Sequence, residues 1–263
     1  MMRRLVGSEM CIRDSASVGD SVMTVTITDG TPDVVLISAG NSDGVFAISN
    51  AGVITIASVT NLDHEVTDSY TLTIVAYDSS SSDVDTVTIA INDINDSPSA
   101  GADKAGAVTE DATANTATGT IDATDQDENE VLSYSGSASG TYGSIAVNAA
   151  TGAWTYTLDN SLTATNALDA NDEVTETFTL TVSDGTDSDT MDVDITITGA
   201  DDDVSAGADQ AGAVTEDATA NTATGTVAGI DADADSSLSY SGGATGTYGS
   251  IVVDAATGAW TYT

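Results

Sequence analysis

DTMDVDITITG, residues 189–199, decides the fold class. Met191, Val193, Ile195 and Ile197 alternate with Asp192, Asp194 and Thr196. A period of two sends the apolar set to one face and the polar set to the other, as in a strand with one buried face. Just upstream, TFTLTVSDG (177–185) places Phe178, Leu180 and Val182 on one face. Much earlier, YTLTIVAYD (70–78) does the same with Tyr70, Leu72, Ile74 and Ala76. No segment sustains a helical period, and Gly, Asn, Asp and Ser punctuate the strands as turn formers. FAISNAGVITI (46–56) and IAVNAATGAWTY (145–156) each read as strand, turn, strand. Gly52 and Gly152 fall at the left-handed turn position that a β-carbon disfavours. The pattern predicts an all-β chain of tandem Greek-key β-sandwiches.

Outward from these strands the chain repeats itself. Ser99–Thr157 returns without a gap as Ser205–Thr263, with most positions identical. Glu110 matches Glu216, a shift of roughly 100 residues, the size of an immunoglobulin-like sandwich and too long for a solenoid repeat. Segment 16–98 is not a copy but follows the same plan. Three modules are expected: 16–98, 99–203 and 204–263, the last a truncated copy that stops inside a strand-like stretch. The joints are DINDSPSAG and ADDDVSAG. Arrays of this kind serve as stalks, spacers or adhesive rods. The opening MMRRLVGSEMCIRDS differs in composition from everything after it and lacks the apolar core of a signal peptide. Residues 1–15 read as translated sequencing-adapter sequence outside the fold.

The formal net charge is −38, from 42 acidic residues against 4 basic ones. After Ser15 the sole Lys or Arg is Lys104, and the sole imidazole is His64. Such a surface repels nucleic acid and anionic lipid, which bind through Lys and Arg, and attracts cations. A hydrophobic fraction of 40% argues against disorder. Cys11 is the one cysteine, so disulfides do not staple the modules. An Asp-rich secreted chain without disulfides commonly uses calcium instead. No apolar run is long enough to span a membrane.

Segment 16–98 resembles a cadherin repeat. The resemblance rests on GNSDGVFAI (40–48), LDHE (62–65), AYD (76–78) and DIND (93–96) followed by Ser97-Pro98. Segments 99–203 and 204–263 resemble the VCBS repeats of large bacterial surface proteins. Here the marks are VTED (108–111, 214–217), a D-x-D before L-x-Y-S, GTYG (140–143, 246–249) and TFTLTVSDG. The resemblance implies immunoglobulin/cadherin-like sandwiches with Ca²⁺ at the domain joints. At the first joint it assigns Asp63 and Glu65 from LDHE and Asp93, Asn95 and Asp96 from DIND. The next module would add Asp125, Asp127 and Asp184. At the second joint the candidates are Glu110, Asp169, Glu173, Asp201, Asp202, Asp203, Asp231 and Asp233, although LDANDE only loosely matches LDRE. Asp29 and Asp78 form an incomplete upstream site, with Thr31 in the second D-x-D place. Ser97 stands where the pattern has Asn, and the base-of-domain Glu expected before Ala16 is absent.

The physics of calcium is independent of the family name. Ca²⁺ takes six to eight oxygen ligands at about 2.3–2.6 Å, and carboxylates gathered without a cation repel one another. Blander readings hold elsewhere. Asp192 and Asp194 are solvent-face strand positions, Trp154 and Trp260 pack in or at the edge of a core, and His64 is a lone exposed histidine. With one imidazole and no G-x-S-x-G, HExxH, P-loop or paired cysteines, no catalytic constellation stands out. The expected protein is a non-enzymatic, calcium-stiffened stalk segment of a large secreted adhesin on a bacterial, Gram-negative surface, active in adhesion and biofilm. Its partners are the neighbouring repeats and a cell-surface protein or polysaccharide. The alternatives are a homophilic or carbohydrate-binding module, or repeats accessory to a secreted hydrolase.

Overall fold

The computed structural model describes residues 4–6, 10–13, 15–28, 31–127, 130–233 and 237–263. Among these there are strands and no α-helix. The chain divides into two compact units: Met1–Ser97 with Asp125–Glu130, and Pro98–Thr124 with Val131–Thr263.

In the first unit the strands are β1 (Arg4–Val6), β2 (Met10–Arg13), β3 (Ser21–Thr24), β4 (Thr26–Thr28), β5 (Val34–Ala39), β6 (Phe46–Ile48), β7 (Val53–Ile56), β8 (Ser69–Tyr77) and β9 (Ser82–Asn92). One sheet has the order β2-β9-β8-β5 and the other β3-β7-β6, with a separate β1-β4 pair. The alternation read in YTLTIVAYD is realised in β8, where Tyr70, Leu72, Ile74 and Ala76 are buried. They pack with Val87, Ile89 and Ile91 of β9 and with Phe46, Ile54 and Ile56 of the other sheet. Phe46 and Tyr70 meet edge to face at 5.1 Å, a favoured aromatic geometry.

The N-terminal boundary differs from the reading at residue 16. Met10–Arg13 pairs in parallel with Ile89–Asn92 as the edge strand of the first sheet, and Ile12 packs against the core. An edge strand needs only a backbone ladder and one inward apolar side chain, so a composition break at residue 15 does not prevent it.

The second unit contains β10 (Lys104–Thr109), β11 (Thr116–Thr120), β12 (Ser133–Ser135), β13 (Ala138–Ser139), β14 (Gly143–Val147), β15 (Ala153–Leu158), β16 (Glu173–Ser183), β17 (Ser188–Thr198), β18 (Ser205–Ala206), β19 (Ala223–Thr226), β20 (Gly229–Ile230), β21 (Gly243–Thr245), β22 (Ser250–Val253) and β23 (Ala259–Tyr262). The sheets β10-β17-β16-β12 and β11-β15-β14-β13 form a sandwich. Phe178, Leu180 and Val182 of β16 and Met191, Val193, Ile195 and Ile197 of β17 meet Ile145, Trp154, Tyr156 and Leu158 in one core. β10 joins β17 in parallel, the counterpart of β2 on β9. Thr177 and Thr179 hydroxyls donate across the outer face to Asp194 and Asp192 at 2.6 and 2.7 Å, so these acids face away from the core.

Residues 204–263 form a four-stranded sheet, β19-β23-β22-β21, and the β18-β20 pair. The four-stranded sheet copies the order of β11-β15-β14-β13. Among the described residues it carries one buried large hydrophobic, Trp260, and no counterpart of β16 and β17. Residues 204–263, expected as a third module, fall within the second compact unit. Gly52 and Gly152 take φ of +82° and +66°, the left-handed conformation expected for both. The pair of tryptophans is packed, as read: Trp154 lies against Gly119, where a β-carbon would stand 2.5 Å from Cζ2.

Candidate metal centre

Leu62 positions the LDHE loop by burying its side chain in the first core. Tyr70 donates its hydroxyl to the Asn61 carbonyl at 2.9 Å, and the Asp63 side chain and carbonyl accept from Val66 and Thr67 at 3.1 and 2.9 Å. With Leu62 plugged inward, the residues that follow turn outward. DIND continues β9 past buried Ile91. Its backbone is fastened by the Asp96 N–H, which donates to Asp127 Oδ2 at 2.8 Å, and its Asp96 side chain by Gln126, which donates to Oδ2 at 3.2 Å. Asp127 N–H in turn donates to Asp125 Oδ1 at 3.1 Å.

These three segments bring carboxylate oxygens of Glu65, Asp96 and Asp127 within 4.8 Å of one another. All three residues are half-buried. Asp125 Oδ2 and Asp127 Oδ1 are buried and have no hydrogen-bond partner. Two oxygens bound to one Ca²⁺ at about 2.4 Å lie at most about 4.8 Å apart. The donor set is all oxygen, the spacing matches and two buried lone-pair sites are unsatisfied, so the residues fit a hard divalent cation. Burial pushes the Glu65 carboxyl up, and Asp93 adds to that against the pull of the loop's own backbone N–H. His64 is pulled upward too, chiefly by donation of Nδ1–H to the Ile91 carbonyl at 2.8 Å, with burial opposing. Asp93 is exposed and groups with His64 and Glu65. Asn95 donates to the Asp96 carbonyl at 3.0 Å.

The second cluster repeats this wiring one module on. Asp202 N–H donates to Asp233 Oδ2 at 2.9 Å, and Asp233 N–H to Asp231 Oδ1 at 3.3 Å. Glu110 is 2% exposed; its Oε2 accepts from Ala200 N–H at 3.2 Å while Oε1 has no partner. Burial pushes Glu110 up, partly offset by the Ala200 N–H, with Asp202, Asp111 and Asp233 adding to it. Asp202 is likewise raised, by burial first and then by Asp111, Asp233 and Asp231. Among the described residues, this cluster does not bring three ligand oxygens within 4.8 Å. Glu173, Asp201 and Asp203 are exposed, and the Asp169 carbonyl accepts from Asp172 N–H at 2.9 Å. Asp111 was missed by the sequence reading. It sits at φ +54° and faces both Glu110 and Asp202; its position beside Glu110 in VTED was the available signal.

Asp78 and Asp184 cap the β8–β9 and β16–β17 turns. Asp78 Oδ1 accepts from Ser80 and Ser81 N–H, both at 2.8 Å. Asp184 Oδ1 accepts from Thr186 and Asp187 N–H at 2.6 and 2.7 Å. Asp29 lies outside the described residues.

Residues 95–199 match the bacterial cadherin-like domain family. The match begins in DIND, takes in the D-x-D pair and ends with β17. Among solved structures, protocadherin gamma B2 extracellular cadherin domains 3–6 superpose with a TM-score of 0.59 at 19% identity, over 99% of this chain and 64% of that one. Human CDH23 EC21–23 gives 0.56 at 17% identity, over 99% and 89%. Drosophila N-cadherin EC1–4 gives 0.53 at 14% identity, over 97% and 64%. The chain therefore spans less than two thirds of the protocadherin and N-cadherin fragments. At these identities the likeness is one of fold: tandem cadherin-like β-sandwiches. No curated protein sequence matches the chain. No helix among the described residues is long and apolar enough to cross a membrane.

Proposed function

We propose that the chain is a calcium-stiffened spacer segment of a secreted bacterial surface adhesin, without catalytic activity of its own. The observation that carries this reading is the convergence of Glu65, Asp96 and Asp127 from three separated motifs onto one half-buried, all-oxygen cluster. Glu65, Asp96 and Asp127 would hold the ion, with Asp63 and Asp125 adjoining. Glu110, Asp202, Asp231 and Asp233 would form the second site, with Asp111 beside them.

The mechanical role proposed for the cluster rests on where its loop lies in the chain. Asp125–Asp127 lies in sequence between Thr124 and Val131, which both belong to the second unit. This loop is fastened to DIND by the hydrogen bond from Asp96 N–H to Asp127 Oδ2. Bound calcium supplies the positive charge that lets these carboxylates stay together. Extracellular modules bind calcium at about 10⁻⁴–10⁻³ M, so the sites would stand empty in the cytosol and fill outside the cell. A relaxed chain during export and a stiff spacer afterwards both follow. Location at a Gram-negative surface, a role in biofilm, and a distal domain that contacts a protein or polysaccharide belong to the same proposal.

Calorimetric titration of the whole chain tests it. Calcium should bind with sub-millimolar to millimolar affinity and magnesium far more weakly. Glu65→Gln and Asp96→Asn should each remove the tighter event. Equal, weak heats for both ions in all variants would end the proposal.

A further inference from the structure

Beside the all-oxygen cluster stands a group of different chemistry. One ring nitrogen of His64 and one carboxylate oxygen each of Glu65 and Asp93 lie within 4.8 Å of one another. The imidazole is oriented. The Ile91 carbonyl, 2.8 Å from Nδ1, can only accept, so Nδ1 carries the proton and the lone pair of the neutral ring is on Nε2. Metal-binding histidines are held in this way, with the second ring nitrogen donating to a carbonyl or carboxylate. Glu65 and Asp93 each bring a carboxylate oxygen to the same ring.

The donor set discriminates between ions. Calcium takes oxygen ligands, whereas imidazole with carboxylates suits zinc and the late first-row divalent ions. Ligands of one zinc ion at about 2.0–2.2 Å lie no more than about 4.4 Å apart. Closing this group on such an ion needs only a small rotation of half-buried Glu65 or exposed Asp93. Arg13 lines the same depression as His64 and Asp93.

The geometry points to a second cation site, formed by His64, Glu65 and Asp93, that takes a late first-row divalent ion such as Zn²⁺. It goes beyond the calcium reading and does not depend on it, because the imidazole nitrogen carries the distinction. Glu65 belongs to both groups, so zinc and calcium compete for one carboxylate.

His64 is the sole histidine, which gives a single-site readout. The full chain carries Cys11→Ser, to remove the exposed thiol, and zinc alone is titrated while long-range ¹H–¹⁵N spectra follow the imidazole. At about one equivalent, Nε2 should move to a metal-bound shift while Nδ1 keeps its proton. His64→Gln should weaken the tightest zinc binding by more than the roughly 10–100-fold that loss of an outer-shell partner costs, and Asp93→Asn should weaken it too with His64 intact. Repeating the titration in saturating calcium should lower the zinc affinity. Zinc binding that leaves the imidazole unmoved, or that is unchanged in His64→Gln, would overturn the inference and leave the calcium proposal standing.

Discussion

Asp127→Asn should raise the stability of the calcium-free protein and lower that of the calcium-loaded one. Asparagine keeps an oxygen to accept the Asp96 N–H, now 2.8 Å from Asp127 Oδ2, so the change removes charge with little loss of hydrogen bonding. The oxygens of Glu65, Asp96 and Asp127 are no more than 4.8 Å apart. Two unit charges at that distance repel by about 0.9 kcal/mol in a water-like dielectric and about 3.5 kcal/mol at an effective dielectric of 20. Asp127 takes part in two such pairs. The cluster is only half-buried and salt screens it, so the low end applies: about 2 kcal/mol relieved, or about 10 °C in the melting temperature of a module this size. In calcium the sign turns. Wild type gains about 2.7 kcal/mol per site at a hundredfold excess over the dissociation constant, and the variant forfeits much of that gain. Differential scanning calorimetry of both proteins, in chelator and in calcium, reads the crossover. A variant that melts lower in chelator, or keeps the full calcium increment, refutes the reasoning.

Glu110→Gln tests the second cluster through pH. Burial holds the Glu110 carboxyl above its ordinary range of about 4.5. The folded calcium-free state therefore binds more protons there than the unfolded chain, and wild type loses stability as pH rises from the ordinary range through the raised value. In chelator the variant should match wild type near pH 4 and exceed it at pH 7, and melting curves across that range should show the gap opening. Glu176→Leu leaves three donors without their acceptor: Thr141 N–H, Tyr142 N–H and the fully buried Tyr156 hydroxyl. Each orphaned group costs about 1–3 kcal/mol. Urea denaturation should show a loss of several kcal/mol, with part recovered by adding Tyr156→Phe. Gly119→Ala puts a β-carbon 2.5 Å from the Trp154 ring and should cost about 1–3 kcal/mol by overpacking, read as a lower denaturation midpoint.

The strands were legible because one side of each sheet faces a core and the other faces water. Met191 to Ile197 and Tyr70 to Ala76 therefore carry their fold in a period of two. β2 was not legible. A short edge strand such as this one, with Ile12 packed against the core, is too brief to show a periodicity, and the composition of residues 1–15 pointed away from the fold. At the sites, LDHE, DIND and D-x-D carried a family pattern, and the structure brings Glu65, Asp96 and Asp127 together. Asp111 and His64 lie inside VTED and LDHE, but the pattern assigned neither a ligand role. Asp111 reaches its neighbours through a left-handed backbone at VTED, and His64 depends on where the Ile91 carbonyl falls. Glu173, exposed at the start of β16, resembled a ligand only through a loose spacing match.

Small-angle scattering from the whole chain, in calcium, in magnesium and in chelator, tests the central claim most directly. If calcium fastens the joints, the calcium curve alone shows a longer maximum dimension and the profile of a stiff multidomain particle. The magnesium and chelator curves would share a flexible profile. Three superimposable curves would contradict the account and leave the acidic clusters as solvated surface.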